Sequence, residues 1–229
     1  LNATKDWNNS SIRQPEEAVG ESILVNCAGC TTYPCYRGEK CVRGQDLSKY
    51  VPLSRREYDD PVINKIAEVA ARIEGEHYLE YTRLEEIIAF CREMGYRQIG
   101  IAHCVGLTRE AKLLRDILKD FFAVEAVCCK FSGIDKKELQ FVQVDCDVYE
   151  AICNPAGQAM VLNDLKTDLN IAVGLCIGHD ILFAKYSEAP VTTFIVKDRV
   201  TGHNPAVMLY SGYAGKKLAK MHLPEINRK

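Results

Sequence analysis

A chain of 229 residues with 47% hydrophobic side chains is long enough for one or two domains around a buried core. Its net charge of −2 and isoelectric point near 6.3 exclude the basic footprint of a nucleic-acid binder, and no stretch approaches the ~20 apolar residues that span a bilayer. Its 11 cysteines are an odd number, which speaks against a closed disulfide framework.

Residues 1–22 are polar and predict an extended or loosely packed arm without a signal segment. The next stretch is Cys27-Ala-Gly-Cys30-Thr-Thr-Tyr-Pro-Cys35-Tyr-Arg-Gly-Glu-Lys-Cys41, a C-x2-C-x4-C-x5-C spacing. Such a short loop cannot build a core between its sulfurs, but it can wrap all four around one small object. Thiolate is the soft ligand that selects zinc, Cu(I) or an iron–sulfur cluster. Ala28 and Gly29 let backbone N–H groups turn towards the sulfurs and offset clustered negative charge. A zinc ribbon presents two C-x2-C knuckles; here one knuckle is followed by single cysteines. Cys27, Cys30, Cys35 and Cys41 are therefore expected to bind metal, a [4Fe–4S] cluster being favoured and zinc the alternative. Reduced thiols of this kind imply a reducing cytoplasm.

Asp60-Pro61 reads as N-cap and first residue of a helix whose apolar period runs through Val62, Ile63, Ile66, Val69, Ala70 and Ile73. Thr82 and Glu85 form a capping box opening a second helix, with Leu84, Ile87, Ile88, Cys91 and Met94 on one face and Gly95 as its stop. Cys91 on that stripe reads as packing. From there strands and helices alternate. Strands are predicted at 98–104, 124–129, 169–176 and 191–197, with helices at 108–122, 155–165 and 181–186; 141–144 reads as either strand or helix. The expectation is a doubly wound, Rossmann-like, mostly parallel α/β sheet. Residues 59–229 form this α/β domain, with added helices packed on it, and residues 1–58 the arm and cysteine-rich segment.

The predicted strand ends carry a second set of soft ligands. Cys104, Cys128, Cys129 and Cys176 fall at carboxyl ends, and Cys153 precedes the Asn154-Pro155 helix start. His179 and His203 sit in two short echoes, Gly178-His179-Asp180 and Gly202-His203-Asn204. In open α/β sheets ligands bind outside the carboxyl ends of the strands, and a helix N-terminus there offers N–H groups to an anion. Any one of these cysteines is equally an ordinary small hydrophobe; the set points to a second site. Cys176, His179 and Asp180 are its expected catalytic residues, and Cys104, Cys128, Cys129, Cys153, Asn154 and His203 its cofactor-binding residues. Cys176 or Cys153 would be ligand or nucleophile, and His179 the acid–base group held by Asp180 or Asp198. His77, His103 and His222 read as structural or surface. The turn from Cys104 to Thr108 has no GxGxxG, Gly212 to Lys216 has no P-loop spacing, and neither GxSxG nor HExxH occurs.

The segments CAGC, CNPAGQAMVLN, TDLNIAVGLCIGHD and APVTTFIVKDRVTGHNP resemble an uncharacterised, cysteine-rich family of metal-binding proteins found mainly in anaerobes. The resemblance runs from Cys27 to about Tyr210. It implies metal binding and puts Cys27, Cys30, Cys35, Cys153, Asn154, Cys176, His179, Asp180 and His203 at matching positions; it implies no reaction. The expected function is a metal-binding, iron–sulfur protein with a second Cys/His site that serves redox or small-molecule chemistry. A zinc-binding sensor or carrier and an electron-transfer protein are the alternatives. The expected partner is a small-molecule substrate or a redox protein, not nucleic acid or membrane, and a homodimer is compatible with the sequence.

Overall fold

Four short apolar segments lie side by side as parallel strands in a computed structural model that describes residues 25–40 and 47–212. They are β1 (Gln98–His103), β2 (Ala123–Cys128), β3 (Leu169–Val173) and β4 (Val191–Ile195), in the order β2-β1-β3-β4. The chain divides into two compact units, 1–64 and 65–229, and the sheet belongs to the second. The helices are α1 (Val51–Glu57), α2 (Pro61–Glu76), α3 (Arg83–Met94), α4 (Thr108–Leu118), α5 (Pro155–Asp164), α6 (His179–Tyr186) and α7 (Ala206–Tyr210). The expected doubly wound α/β architecture is what forms.

Side-chain alternation divides the core into two layers. Ile99 and Ile101 pair in register with Leu169 and Ile171. Their shared face packs on Ile87 and Cys91 of α3 and on Ala111, Leu114 and Leu118 of α4. The opposite face, carrying Ala102 and Ala172, packs on Ala159 and Leu162 of α5 and Phe183 of α6. The capping box at Thr82 and Glu85 forms as expected, and Gly95 ends α3 in the left-handed conformation at φ 77°. Cys91 is fully buried, and burial, helped by the Asp168 carboxylate, pushes its thiol up to about 12.

One polar network crosses the α5/α6 layer. Asn170 of β3, fully buried, accepts from Thr167 Oγ1 at 2.8 Å and donates to Ser187 Oγ at 2.8 Å. It lies over Gly100 so closely that a Cβ there would come 2.0 Å from Asn170 Oδ1. The glycine inside the central strand is a space requirement, not a flexibility one.

Elements end where their hydrogen bonds run out. β3 stops at Val173 because Gly174 turns to φ 63°, which leaves Cys176 in a loop and not on the strand. β4 stops at Ile195, after a register shift against β3 between Ala172 and Val173. Residues 141–144 form neither strand nor helix; Val142 is 90% and Val144 94% exposed, so no apolar face is buried there to pay the ordering entropy. The order β2-β1-β3-β4 makes the chain wind outward one way from β1 and the other way from β3, so the β1/β3 boundary is a topological switch point.

Candidate functional site

Main-chain hydrogen bonds at the carboxyl edge fix four cysteines from four elements. Cys104, just past β1 and 6% exposed, donates its N–H to Val173 O of β3 at 3.1 Å. Cys129, just past β2 and 2% exposed, donates its N–H to His103 O at 2.9 Å. Its Sγ accepts the Val105 N–H at 3.3 Å, which seats the sulfur beneath the turn that follows Cys104. Asn154 donates its N–H to Cys129 O at 2.8 Å and caps α5 by accepting Gly157 N–H at 2.9 Å. The half-buried Cys153 is thereby held beside Cys129. Cys176, half-buried after β3, accepts a hydrogen bond from the Arg199 guanidinium at 3.3 Å.

The electrostatics follow from those contacts. The Cys129 thiol hydrogen-bonds the Cys153 sulfur and, with the Lys130 ammonium and His179, holds Cys153 well below the ordinary thiol range against its partial burial. The same bond and burial push Cys129 upward. The arrangement favours negative charge on Cys153 and a proton on Cys129. Lys130 also donates to Ala151 O. Arg199 is made harder to deprotonate, first by Cys176 and further by Cys104 and Cys153, so one guanidinium senses all three sulfurs. Lys197 Nζ lies 3.4 Å, and Cys104 Sγ 3.9 Å, from the point a Gly106 Cβ would occupy.

Of the residues expected here, Cys104, Cys129, Cys153, Cys176, Asn154 and His179 come together. Four do other work. Cys128 follows Val127, which packs on the α5/α6 layer, so strand alternation puts Cys128 on the other face, away from the Cys129 pair. Asp180 accepts the adjacent Ile181 N–H at 2.8 Å. Asp198 accepts Val200 and Thr201 N–H at 2.9 and 3.1 Å, so the expected support of His179 by these carboxylates is replaced by turn bonding. His203, at φ 68°, accepts the Asp198 N–H on Nδ1 at 3.1 Å and closes that same turn. Lys130, Lys197 and Arg199 were not foreseen, although Lys197 and Arg199 follow β4 at the same edge and Lys130 follows Cys129 directly.

In the first unit, Cys27 and Cys35 are exposed and Cys30 is half-buried. They lie on or beside two single 3-10 turns, Cys27–Gly29 and Pro34–Arg37. Asn26 Oδ1 accepts Gly29 N–H at 3.1 Å, and Cys30 N–H donates to Cys27 O at 3.0 Å. Cys41 and His222 lie outside the described residues. None of the ten described cysteines is in a disulfide. Among the described residues, the one trio of His, Cys, Asp or Glu with ligand atoms all within 4.8 Å of one another is the exposed Asp145, Cys146 and Asp147. The cysteine content and this trio are compatible with metal binding. A cavity of about 350 Å³ at the amino edge of the sheet, walled by Phe90, Leu169, Pro190 and Thr192, contains no thiol.

The family described as protein of unknown function (DUF1847) matches residues 43–194. The chain belongs to the DUF1847 family. It is 52% identical over 194 residues to the uncharacterised protein MJ0455 of Methanocaldococcus jannaschii, an alignment covering 85% of this chain and 98% of that relative. No solved structure matches. The DUF1847 segment contains Cys104, Cys129, Cys153, Cys176 and His179, whereas Cys27, Cys30, Cys35, Cys41 and His203 lie outside it. No helix among the described residues is long and apolar enough to cross a membrane.

Proposed function

We propose that this DUF1847 member is a cytoplasmic iron–sulfur redox protein in which Cys27, Cys30, Cys35 and Cys41 hold a [4Fe–4S] cluster. The carboxyl edge of the sheet is then where a small-molecule substrate or redox partner is met. The observation that carries this reading is the setting of the loop thiols. Cys27, Cys30 and Cys35 sit on short turns with no buried cysteine among them, so packing supplies no reason for their presence. Their donor chemistry suits a soft metal centre. Tetrahedral zinc, with Zn–S near 2.3 Å, brings its sulfurs to about 3.8 Å from one another. One C-x2-C knuckle followed by single cysteines, without the second knuckle of a zinc ribbon, favours the larger cluster. When bound, the cluster would supply one-electron redox capacity.

Anaerobically purified protein from iron-replete cells should be brown, with a broad visible band that bleaches on reduction and about four irons per chain. Cys30→Ala should lose that iron. Colourless protein with stoichiometric zinc overturns the cluster in favour of a structural or sensing zinc site; protein with neither metal overturns the loop as a metal centre.

A further inference from the structure

We infer that Cys153 and Cys129 form a thiol–disulfide exchange pair whose substrate is an anionic small-molecule disulfide. This goes beyond the iron–sulfur reading: it concerns the second unit and requires no metal.

The pair has a division of labour that packing alone does not require. Cys153 is half-buried and reachable, while Cys129 is 2% exposed and lies behind it. A disulfide needs Cα atoms within about 4.4–6.8 Å; the Asn154 N–H to Cys129 O bond of 2.8 Å sets the two backbones side by side, and the two sulfurs are near enough to share a hydrogen bond. Cys129 Sγ is itself steadied by the Val105 N–H at 3.3 Å. An accessible sulfur in front of a buried, hydrogen-bonded partner is the arrangement of a nucleophile and its resolving thiol.

The surroundings select charge. Lys130, Lys197 and Arg199 all lie at this edge, and the nearby Asp198 is committed to the turn at Val200 and Thr201. Three cations against sulfur ligands favour a substrate carrying carboxylates.

The chemistry closes on itself in a single turnover. The Cys153 thiolate attacks one sulfur of the disulfide, forms a mixed disulfide and releases the first thiolate. The Cys129 sulfur then attacks Cys153 Sγ, its proton passes to the departing second thiolate, and a Cys129–Cys153 disulfide remains. One substrate disulfide is reduced to two thiols and two protein thiols are oxidised.

The test uses the full-length, anaerobically prepared, pre-reduced protein at pH 6, mixed with glutathione disulfide or with cystamine, acid-quenched and read by peptide-mapping mass spectrometry. Wild type should yield a Cys129–Cys153 disulfide. Cys129→Ser should accumulate the glutathione adduct on Cys153, and Cys153→Ser should form neither product. Lys130→Met should slow glutathione disulfide at least about threefold more than cationic cystamine, as expected for electrostatic steering. Adducts confined to Cys27, Cys30 and Cys35, a Cys153 bridged to Cys104 or Cys176, or equal effects of Lys130→Met on both reagents would overturn the proposal. The wild-type map decides the pairing even if the Cys129 variant does not fold. Iron content is unaffected by this outcome, so failure here and failure of the cluster reading are separate results.

Discussion

Replacing Gly100 by Ala tests how tightly the switch-point strands are stacked. The new methyl would lie 2.0 Å from Asn170 Oδ1 and 2.9 and 3.0 Å from the two terminal carbons of Leu162. Real contacts of this kind do not occur, so either Asn170 swings away or β1 and β3 move apart. Swinging away breaks the 2.8 Å bonds of the fully buried Asn170 to Thr167 and Ser187. Losing buried partners costs about 1–3 kcal/mol, and forcing a methyl into a filled core adds about 1–3 kcal/mol. A loss of about 3 kcal/mol lowers Tm by about 6–12 °C in a protein of this size, read by circular dichroism at 222 nm. The decisive comparison is the double variant. Asn170→Ala alone loses the same hydrogen bonds, but together with Gly100→Ala it vacates the space the methyl needs. Gly100→Ala with Asn170→Ala should therefore be more stable than the sum of the single changes by about 1–3 kcal/mol. Strictly additive effects, or a Gly100→Ala Tm within 1 °C of wild type on that same estimate, would refute this account of the glycine.

Cys153 should be alkylated by iodoacetamide at pH 6 far faster than an ordinary thiol, because Cys129, Lys130 and His179 hold it below the usual range; Lys130→Met raises its pKa and should shift the rate profile to higher pH, seen by site-resolved mass spectrometry. Cys91 lies on the opposite side of the linkage. Its folded value is raised, so the stability it contributes is complete below the unfolded thiol value of about 8.5 and declines as pH rises towards about 12. Cys91→Ala should cost roughly 1 kcal/mol or more at pH 7 yet flatten the decline of urea-unfolding stability above pH 8.5, and an unchanged alkaline slope would contradict the assignment.

What was legible in the sequence was what neighbouring residues decide. Thr82 and Glu85 cap their own helix, Gly95 ends it, and the strands betray themselves by short apolar runs between polar turns. The gathering of Cys104, Cys129 and Cys176 at one edge follows from parallel strands, and Cys153 joins them at the start of α5. What was not legible depends on partners distant in the chain. Nothing local distinguishes Cys129 from Cys128; only knowing which face Val127 packs against does so. Gly100 looks like a weak spot in a strand until Asn170, seventy residues on, is found lying across it. His203 resembles His179 in sequence, but its left-handed backbone and its bond to Asp198 make it the closing residue of a turn. The same strand-end rule that found the cysteines would have found Lys197 and Arg199 had cations been sought along with soft ligands.

The two thiol groups of this protein are built on different energetic terms, and that difference bears on their roles. At the carboxyl edge the sulfurs are located by bonds belonging to the core: Cys104 N–H to Val173 O, Cys129 N–H to His103 O and Asn154 N–H to Cys129 O. These bonds exist because the sheet exists, so the sulfurs stay in place whatever is bound, and charge is balanced by Lys130 and Arg199 already present. Preorganisation of this kind suits a site that meets a ligand directly, since no loop has to order first. Around Cys27, Cys30 and Cys35 the backbone is shaped by hydrogen bonds two to five residues apart, such as Gly29 N–H to Asn26 and Arg37 to Thr32 O, and Arg37 pairs with Glu39 at 2.9 Å. Thiolates gathered around one point repel one another, and a bound cation or cationic cluster would supply opposing charge. If the proposed cluster is bound there, its binding energy and the ordering energy of the loop would be one quantity.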